Sequence, residues 1–294
     1  LLWARSELIG IRSGVEDMLT DGLEIARAQG DQRSEARLLV SRSRYRAFSS
    51  PQETVNEAPI ERALCREVGD SFWAATSYIS EALAQISLGR FDLAEPLLDQ
   101  LRIEARALRH PQLIADEIAR RALVDRRFGR YDAVHRAVVD IDRITAGFTS
   151  LNSQALVHAQ AALVDVVQGR AETALDTMDE LYRRYLVAGE LGYLPSIALP
   201  IIDALIDLGR ASEALDRFAR LWGGFSKTIS WRLRLGSVRG TAMLASGDLE
   251  AARAAFTAVL DEAVTTPNDH EAAIAERYLA AIDRPEQRVN DAET

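Results

Sequence analysis

The stretch LGRFDLAEPLL at residues 88–98 decides the fold, because similar copies of it recur along the chain. Three later copies read FGRYDAVHRAV at 128–138, QGRAETALDTM at 168–178 and LGRASEALDRF at 208–218. A fifth, SGDLEAARAAF, occupies 246–256, and a degenerate copy surrounds Ser49. Self-similarity at a fixed period of about 20–50 residues is the sequence signature of a repeat architecture.

A glycine occupies the same place in each regular copy. These turn glycines are Gly89, Gly129, Gly169, Gly209 and Gly247. The first four lie 40 residues apart, and the fifth follows after 38. Because glycine adopts positive φ without a Cβ clash, it ends the helix that precedes it. A second helix begins directly afterwards, and so short a connection predicts an antiparallel helix pair.

Side-chain size repeats with the same period. Small residues follow each glycine after five positions: Ala94, Val134, Ala174, Ala214 and Ala252. Larger apolar residues follow after nine positions: Leu98, Val138, Met178, Phe218 and Phe256. Small side chains let paired helices approach closely, while the larger ones fill the space between pairs. The pattern therefore predicts an all-α solenoid of antiparallel helix pairs.

We expect one continuous solenoid over residues 1–283, with degenerate repeats over 1–70 and regular repeats over 71–283. Outside the regular copies, further helices are expected at 15–29, 32–48 and 268–282. The polar residues 284–294 form a tail that frays. Two interpretations fit the irregular stretch 49–60, a kink in the superhelix or a drifted repeat, and the drifted repeat is favoured.

Composition excludes several classes of protein. The 294-residue chain is 48% hydrophobic, with a net charge of -9. An acidic chain repels phosphate backbones, so we expect no direct nucleic-acid binding. The single cysteine, Cys65, excludes an internal disulfide, and no apolar run approaches the ~18–20 residues that span a bilayer. Because the chain begins at Leu1 without a leader pattern, we expect a cytoplasmic segment of a longer protein.

The copies resemble tetratricopeptide (TPR) repeats, most clearly over residues 71–280. Ala82, Gly89, Phe91 and Ala94 match the small residue, glycine, aromatic and alanine of that motif. The period of 40 departs from the family's usual value of about 34, so the helices are longer. Long repeats with this Gly-Arg turn look like the superhelical region of large ATP-dependent bacterial transcription activators of the maltose-activator and LuxR class.

That resemblance implies a TPR-like superhelix that acts in transcription regulation and signal transduction, as the sensor or interaction region of a larger regulator. Its partner would be a protein or peptide, with a small-molecule effector as a second kind of ligand. A free-standing adaptor that mediates protein–protein interaction is the alternative. We predict no cofactor, and no enzyme, because no catalytic motif is present; the histidines lack the spacing of a zinc site.

The first helix of each pair lines the concave face in TPR-like superhelices, so its polar residues are candidates for partner binding. These are Tyr78, Gln85, Asp116, Arg120, Arg127, Asp165, Asp203, Asp207, Arg234 and Thr241. Neither the identity of the partner nor the oligomeric state follows from this pattern.

Three local features leave alternatives open. Asp203 and Asp207 repel one another at i, i+4, so an arginine of a neighbouring repeat or a cationic ligand must compensate. The basic run at residues 120–127 is either a solvated face or a receiver for an anionic ligand or acidic peptide. Trp222 and Trp231 either pack between repeats or form the lip of a ligand site. In each case the internal or solvated interpretation is favoured.

Overall fold

The computed structural model describes residues 15–147, 151–188, 194–225, 229–265 and 268–283. These residues form fourteen α-helices and no strand. In chain order the helices are α1 (Val15–Gln29), α2 (Gln32–Arg46), α3 (Pro51–Glu67), α4 (Ser71–Ser87), α5 (Phe91–Ala107), α6 (Pro111–Arg127), α7 (Tyr131–Thr145), α8 (Leu151–Val167), α9 (Ala171–Ala188), α10 (Leu194–Asp207), α11 (Ala211–Phe225), α12 (Ile229–Ala245), α13 (Leu249–Thr265) and α14 (Asp269–Asp283). None of the helices described is both long and apolar enough to cross a bilayer.

The helices form two layers. Each even-numbered helix from α2 to α14 contacts the next even-numbered helix as well as its neighbours along the chain. The odd-numbered helices contact the helices before and after them, with no comparable contact among themselves in the described residues. In a curved solenoid the concave side is shorter than the convex side, so helices on the concave side lie closer together. The even-numbered helices contact one another and therefore line the concave side. The predicted all-α solenoid of antiparallel helix pairs is confirmed in the described residues.

From α4 onward, each turn from inner to outer helix contains a left-handed glycine, whereas the α2–α3 turn has none. Gly89, for example, has a φ of 76°. The amide of the following residue, Arg90, donates to the carbonyl of Gln85 at 2.8 Å. This bond satisfies a carbonyl that the end of α4 would otherwise leave unpaired. The same geometry recurs at Gly129, Gly169 and Gly209, which explains the conserved length of the turn within this chain.

The size pattern sets the distance between paired helices. The small residues five positions after the turn glycines are fully buried: Ala94, Val134, Ala174, Ala214 and Ala252. On α12 the corresponding inner position is Gly240, where an added Cβ would lie 2.7 Å from the ring of Phe256. That ring is stacked on Tyr278, with centroids 4.7 Å apart. Because Gly240 of α12 has no side chain, the stacked rings of Phe256 on α13 and Tyr278 on α14 have room beside it.

The N-terminal residues from 15 onward form helices of the same kind. Pro51 occupies the first turn of α3, where its missing amide is not needed. Pro59 lies inside α3, so the irregular stretch belongs to a regular outer helix. Glu61 of α3 is buried and accepts a hydrogen bond from the Ser43 hydroxyl at 2.7 Å. The preference for a drifted repeat over a kink in the superhelix stays a prediction.

The last helix returns to an early turn of the solenoid. The side-chain amide of Asn268 donates to the carbonyl of Ser87 at 2.6 Å, across 181 residues of sequence. The side-chain oxygen of Asn268 also accepts from the amide of Glu271 at 3.1 Å, which caps α14. His270 meets the ring of Phe91 edge-on, with centroids 5.2 Å apart. We call this junction between α14 and the α4–α5 turn the closing contact.

The closing contact makes Gly89 more sensitive to substitution than its counterparts. An added Cβ at Gly89 would overlap with the Cβ of His270 and lie 2.9 Å from its backbone nitrogen, whereas Gly129 has open space. Alanine at either glycine lowers the free energy of unfolding by about 1–2 kcal/mol, because alanine disfavours left-handed φ. We expect Gly89→Ala to lower the melting temperature further than Gly129→Ala and to speed amide exchange in α14. Equal effects of the two substitutions would contradict the closing contact.

Burial gives α3 a pH-dependent contribution to stability. Burial raises the pKa of Glu61 from 4.5 to about 7, against the opposing effect of the Ser43 hydroxyl. A carboxyl with a raised pKa destabilises the fold once pH exceeds its unfolded value, and the full cost is present above pH 7. We expect Glu61→Gln to stabilise the protein by roughly 2–3 kcal/mol at pH 8 and by much less at pH 5. Thermal unfolding at the two pH values measures the difference; a pH-independent gain would contradict it.

Candidate functional site

All ten predicted binding residues lie on inner helices, but they do not share one environment. Tyr78, Gln85, Asp116 and Arg120 are buried. Asp165, Asp203, Arg127, Arg234 and Thr241 are partly buried, and Asp207 is exposed. Burial corrects the expectation for the first four, because helix packing and not an open groove surrounds them. They are therefore removed from the candidate binding surface.

Asp116 and Arg120 form a buried polar network that joins three inner helices. The Arg120 Nη1 donates to Asp116 Oδ1 at 2.9 Å, and the Ser153 hydroxyl of α8 donates to the same oxygen at 2.9 Å. Arg44 of α2 lies 3.9 Å from the other oxygen. Burial disfavours the carboxylate, but Arg120 and Arg44 hold the pKa of Asp116 below its usual value. The network fixes the register of α2, α6 and α8.

Other predicted residues are also engaged within the solenoid. The Arg62 guanidinium lies 3.6 Å from the centre of the Tyr78 ring. Asp165 accepts from Arg170, the arginine that follows a turn glycine. The Thr241 hydroxyl donates to the backbone carbonyl of Ser237 at 2.9 Å. These internal contacts explain why the three positions are polar, so a bound partner is not needed to explain it.

A second group of charges faces the concave side at α6, α10 and α12. It consists of Arg126 and Arg127 on α6, Asp203 on α10 and Arg234 on α12, and we call it the arginine cluster. Arg234, Arg126 and Arg127 all act on the charge of Asp203, in that order of strength. The arginines that act on Asp203 thus come from the adjacent inner helix, α12, and from α6, which lies beyond α8 in the inner layer. No direct ion pair of Asp203 with them occurs among the described residues.

The arginines of the cluster repel one another. Burial lowers the pKa of Arg127 to about 10, and the charge of Arg234 adds to the shift. Burial also lowers the pKa of Arg126 well below its usual value, and the charges of Arg127 and Arg234 lower it further. For Asp203, burial outweighs the three arginines, and its pKa is raised. The cluster therefore holds three arginines against two nearby carboxylates, Asp203 and Glu271.

Two nitrogens of the cluster are buried without a hydrogen-bond acceptor. Arg126 uses its Nε to donate to Gln160 Oε1 at 2.7 Å, but its Nη2 has no partner among the described residues. The Nε of Arg127 is likewise buried and unpaired, although its guanidinium faces the Phe91 ring at 5.4 Å. A buried donor without an acceptor costs about 1–3 kcal/mol, so these nitrogens favour a ligand that accepts hydrogen bonds.

The first turn of α14 borders the arginine cluster. Burial, followed by the charges of Arg127, Arg234 and Arg126, lowers the pKa of His270 to about 3. His270 is therefore neutral near pH 7. The adjacent Glu271 accepts from the Ser237 hydroxyl of α12 at 2.6 Å. The closing contact and the arginine cluster thus share a boundary.

Sequence reasoning did not single out Arg126 within the basic run, and it missed Gln160 and His270 as neighbours of the candidate surface. Arg126 was part of the basic run, but nothing in the run distinguishes it from Arg121, which pairs with Glu117 and Asp99. Gln160 lies 34 residues from Arg126, and only the repeat period suggests that they meet. No sequence signal places α14 beside α6.

The remaining reactive residue types are held by internal contacts. Cys65 is buried, which raises the pKa of its thiol to about 12. His158 Nε2 lies 3.1 Å from Asp142 Oδ1. The described residues contain no group of three or more histidines, cysteines or carboxylates that could hold a metal ion. The side chains of Trp222 and Trp231 lie outside the described residues.

No family model and no curated protein matches the chain. Among solved structures, the crystal structure of a tetratricopeptide repeat protein from Parabacteroides merdae is similar, with 17% sequence identity. The match covers 91% of this chain and 98% of that one, at a TM-score of 0.49.

The buried network predicts a large structural cost for one substitution. Asp116→Asn removes the charge that faces Arg120 and leaves a buried cation uncompensated, which costs about 3–5 kcal/mol. The matched control is Asp140→Asn, because Asp140 faces Arg143 at 3.2 Å on the exposed side of α7. We expect the control to cost less than about 1 kcal/mol. Chemical denaturation measures both; equal losses would refute the structural role of Asp116.

Proposed function

We propose that the chain is a non-catalytic binding module whose concave face, at α6, α10 and α12, receives a protein or peptide partner. The arginine cluster is the observation that carries this proposal. Most arginines in the described part of the chain have a carboxylate partner, as Arg121 and Arg130 do. Arg126 and Arg127 on α6 and Arg234 on α12 are different, because they act on one another's charge and none of them has a direct ion pair in the described residues.

The solenoid suits a role in which binding changes shape. Each repeat packs mainly on its neighbours, so small rotations between repeats add along the chain. A partner that contacts α6, α10 and α12 at once restricts three repeats relative to one another. Binding of this kind stabilises the curvature in which the contacts fit best.

Two settings fit such a module. In the first, which the resemblance to maltose-activator and LuxR-type regulators favours, the solenoid is the sensor of a larger ATP-dependent protein, and a peptide or small effector on the concave face biases the attached domains. In the second, the solenoid is a free-standing adaptor. Both settings use the same face, and the domains encoded next to the solenoid distinguish them.

A steric block tests the concave face without altering the cluster. Asp207 is exposed on α10, one turn from Asp203. We expect Asp207→Trp to abolish capture of a partner by the immobilised full chain, because the indole ring fills the approach to the cluster. The melting temperature should change little, since surface substitutions usually cost within about 0.5 kcal/mol.

Asp140→Trp is the matched control, because Asp140 is an exposed aspartate on the outer helix α7. Bound proteins are identified by mass spectrometry for the wild type and both variants. A partner that is retained by Asp140→Trp and lost by Asp207→Trp supports the concave face. A partner lost only by Asp140→Trp places binding on the outer layer and refutes the proposal.

A further inference from the structure

The geometry points to an oxyanion site at the arginine cluster. We propose that Arg126, Arg127 and Arg234 together bind a carboxylate or phosphate group of a ligand. This inference deepens the proposed function, on which it rests, by naming the chemistry that the concave face recognises. The same group is supplied either by a free anion or by the acidic side chains of a peptide.

Charge is the first argument. Three guanidinium groups share the site with two carboxylates, Asp203 and Glu271, and neither makes a direct ion pair with them in the described residues. The Glu271 carboxylate accepts a hydrogen bond from the Ser237 hydroxyl. His270 adds no positive charge near neutral pH because its pKa is about 3. In a chain of net charge -9, three mutually repelling arginines on one inner surface are an exception.

Hydrogen-bond geometry is the second argument. The Nη2 of Arg126 and the Nε of Arg127 are buried donors without an acceptor in the described residues. Both belong to side chains that other contacts already hold in place, since Arg126 is tied to Gln160 and Arg127 lies against Phe91. An oxyanion accepts several hydrogen bonds at once and binds arginine forks well. Such a ligand satisfies both donors and relieves the repulsion among the three cations.

Position is the third argument. The cluster draws on α6, α10 and α12, and α14 borders it through His270. Asn268, two residues earlier, holds the closing contact to Ser87. An anion at the cluster therefore joins repeats that are distant in sequence. Its binding stabilises the closed arrangement, because a ligand stabilises the state to which it binds.

Two probes separate the possible sources of the anion. Inorganic phosphate and a hexaglutamate peptide are titrated into the full chain at constant ionic strength, with sodium chloride as the reference. The readouts are the melting temperature and the heat of binding. We expect at least one probe to raise the melting temperature. A response to phosphate alone indicates a free anion, and a response to the peptide alone indicates acidic side chains.

Variants of the cluster give opposite effects on stability and binding. Arg127→Gln and Arg234→Gln each remove a repelling charge, so we expect a higher melting temperature without ligand at low salt. The same variants should bind the responding probe about tenfold or more weakly, because a charge-assisted hydrogen bond is lost. Asp203→Asn should strengthen binding, since it removes a competing carboxylate. Arg143→Gln, on the outer helix α7, should change neither property.

Two results would overturn the oxyanion site. One is the failure of both probes to raise the melting temperature above the chloride reference. The other is a probe response that survives Arg127→Gln and Arg234→Gln unchanged. Neither result affects the steric-block test at Asp207, so failure of the oxyanion site is distinguishable from failure of the proposed function. Loss of stability in the arginine variants would instead show that the cluster serves packing, and it would equally refute the site.

Discussion

The left-handed glycine between inner and outer helix, present in every pair from α4 onward, is the constraint on which the rest of the structure depends. It reverses the chain within a few residues, and the bond from the next amide back to the helix end, as from Arg90 to Gln85, closes the turn. Because the reversal recurs every 40 residues from Gly89 to Gly209, the inner helices α4, α6, α8 and α10 end at equivalent positions of their pairs. The inner helices therefore stack in register, and polar residues of different repeats meet.

Sequence periodicity predicted the fold because the physics of the fold is local. Helices expected at 15–29 and 268–282 are found at Val15–Gln29 and Asp269–Asp283, since helix ends depend on nearby glycines and capping residues. The candidate site was harder to predict. Asp116 and Arg127 occupy comparable polar positions on α6, yet one is buried in a network and the other borders the concave face. That difference depends on Arg44 and Ser153, which belong to other repeats.

The closing contact could not be predicted from any repeat alone. Asn268 meets Ser87 only because the small rotations between successive inner helices add up over the intervening repeats. A change of a few degrees per repeat would carry α14 past the α4–α5 turn. Local sequence determines each helix pair, but the summed curvature determines whether His270 approaches the arginines of α6.

This dependence on summed curvature explains why a repeat protein can hold like charges together. In a globular core, three clustered arginines would destabilise the whole fold at once. In a solenoid, the repulsion among Arg126, Arg127 and Arg234 acts mainly on the angle between repeats, because each helix pair keeps its own packing through residues such as Ala94 and Ala214. An anion that neutralises the cluster therefore stabilises the curvature of the closed arrangement without disturbing any helix pair. The repulsion among the arginines thus destabilises the concave face and also makes its curvature sensitive to an anion.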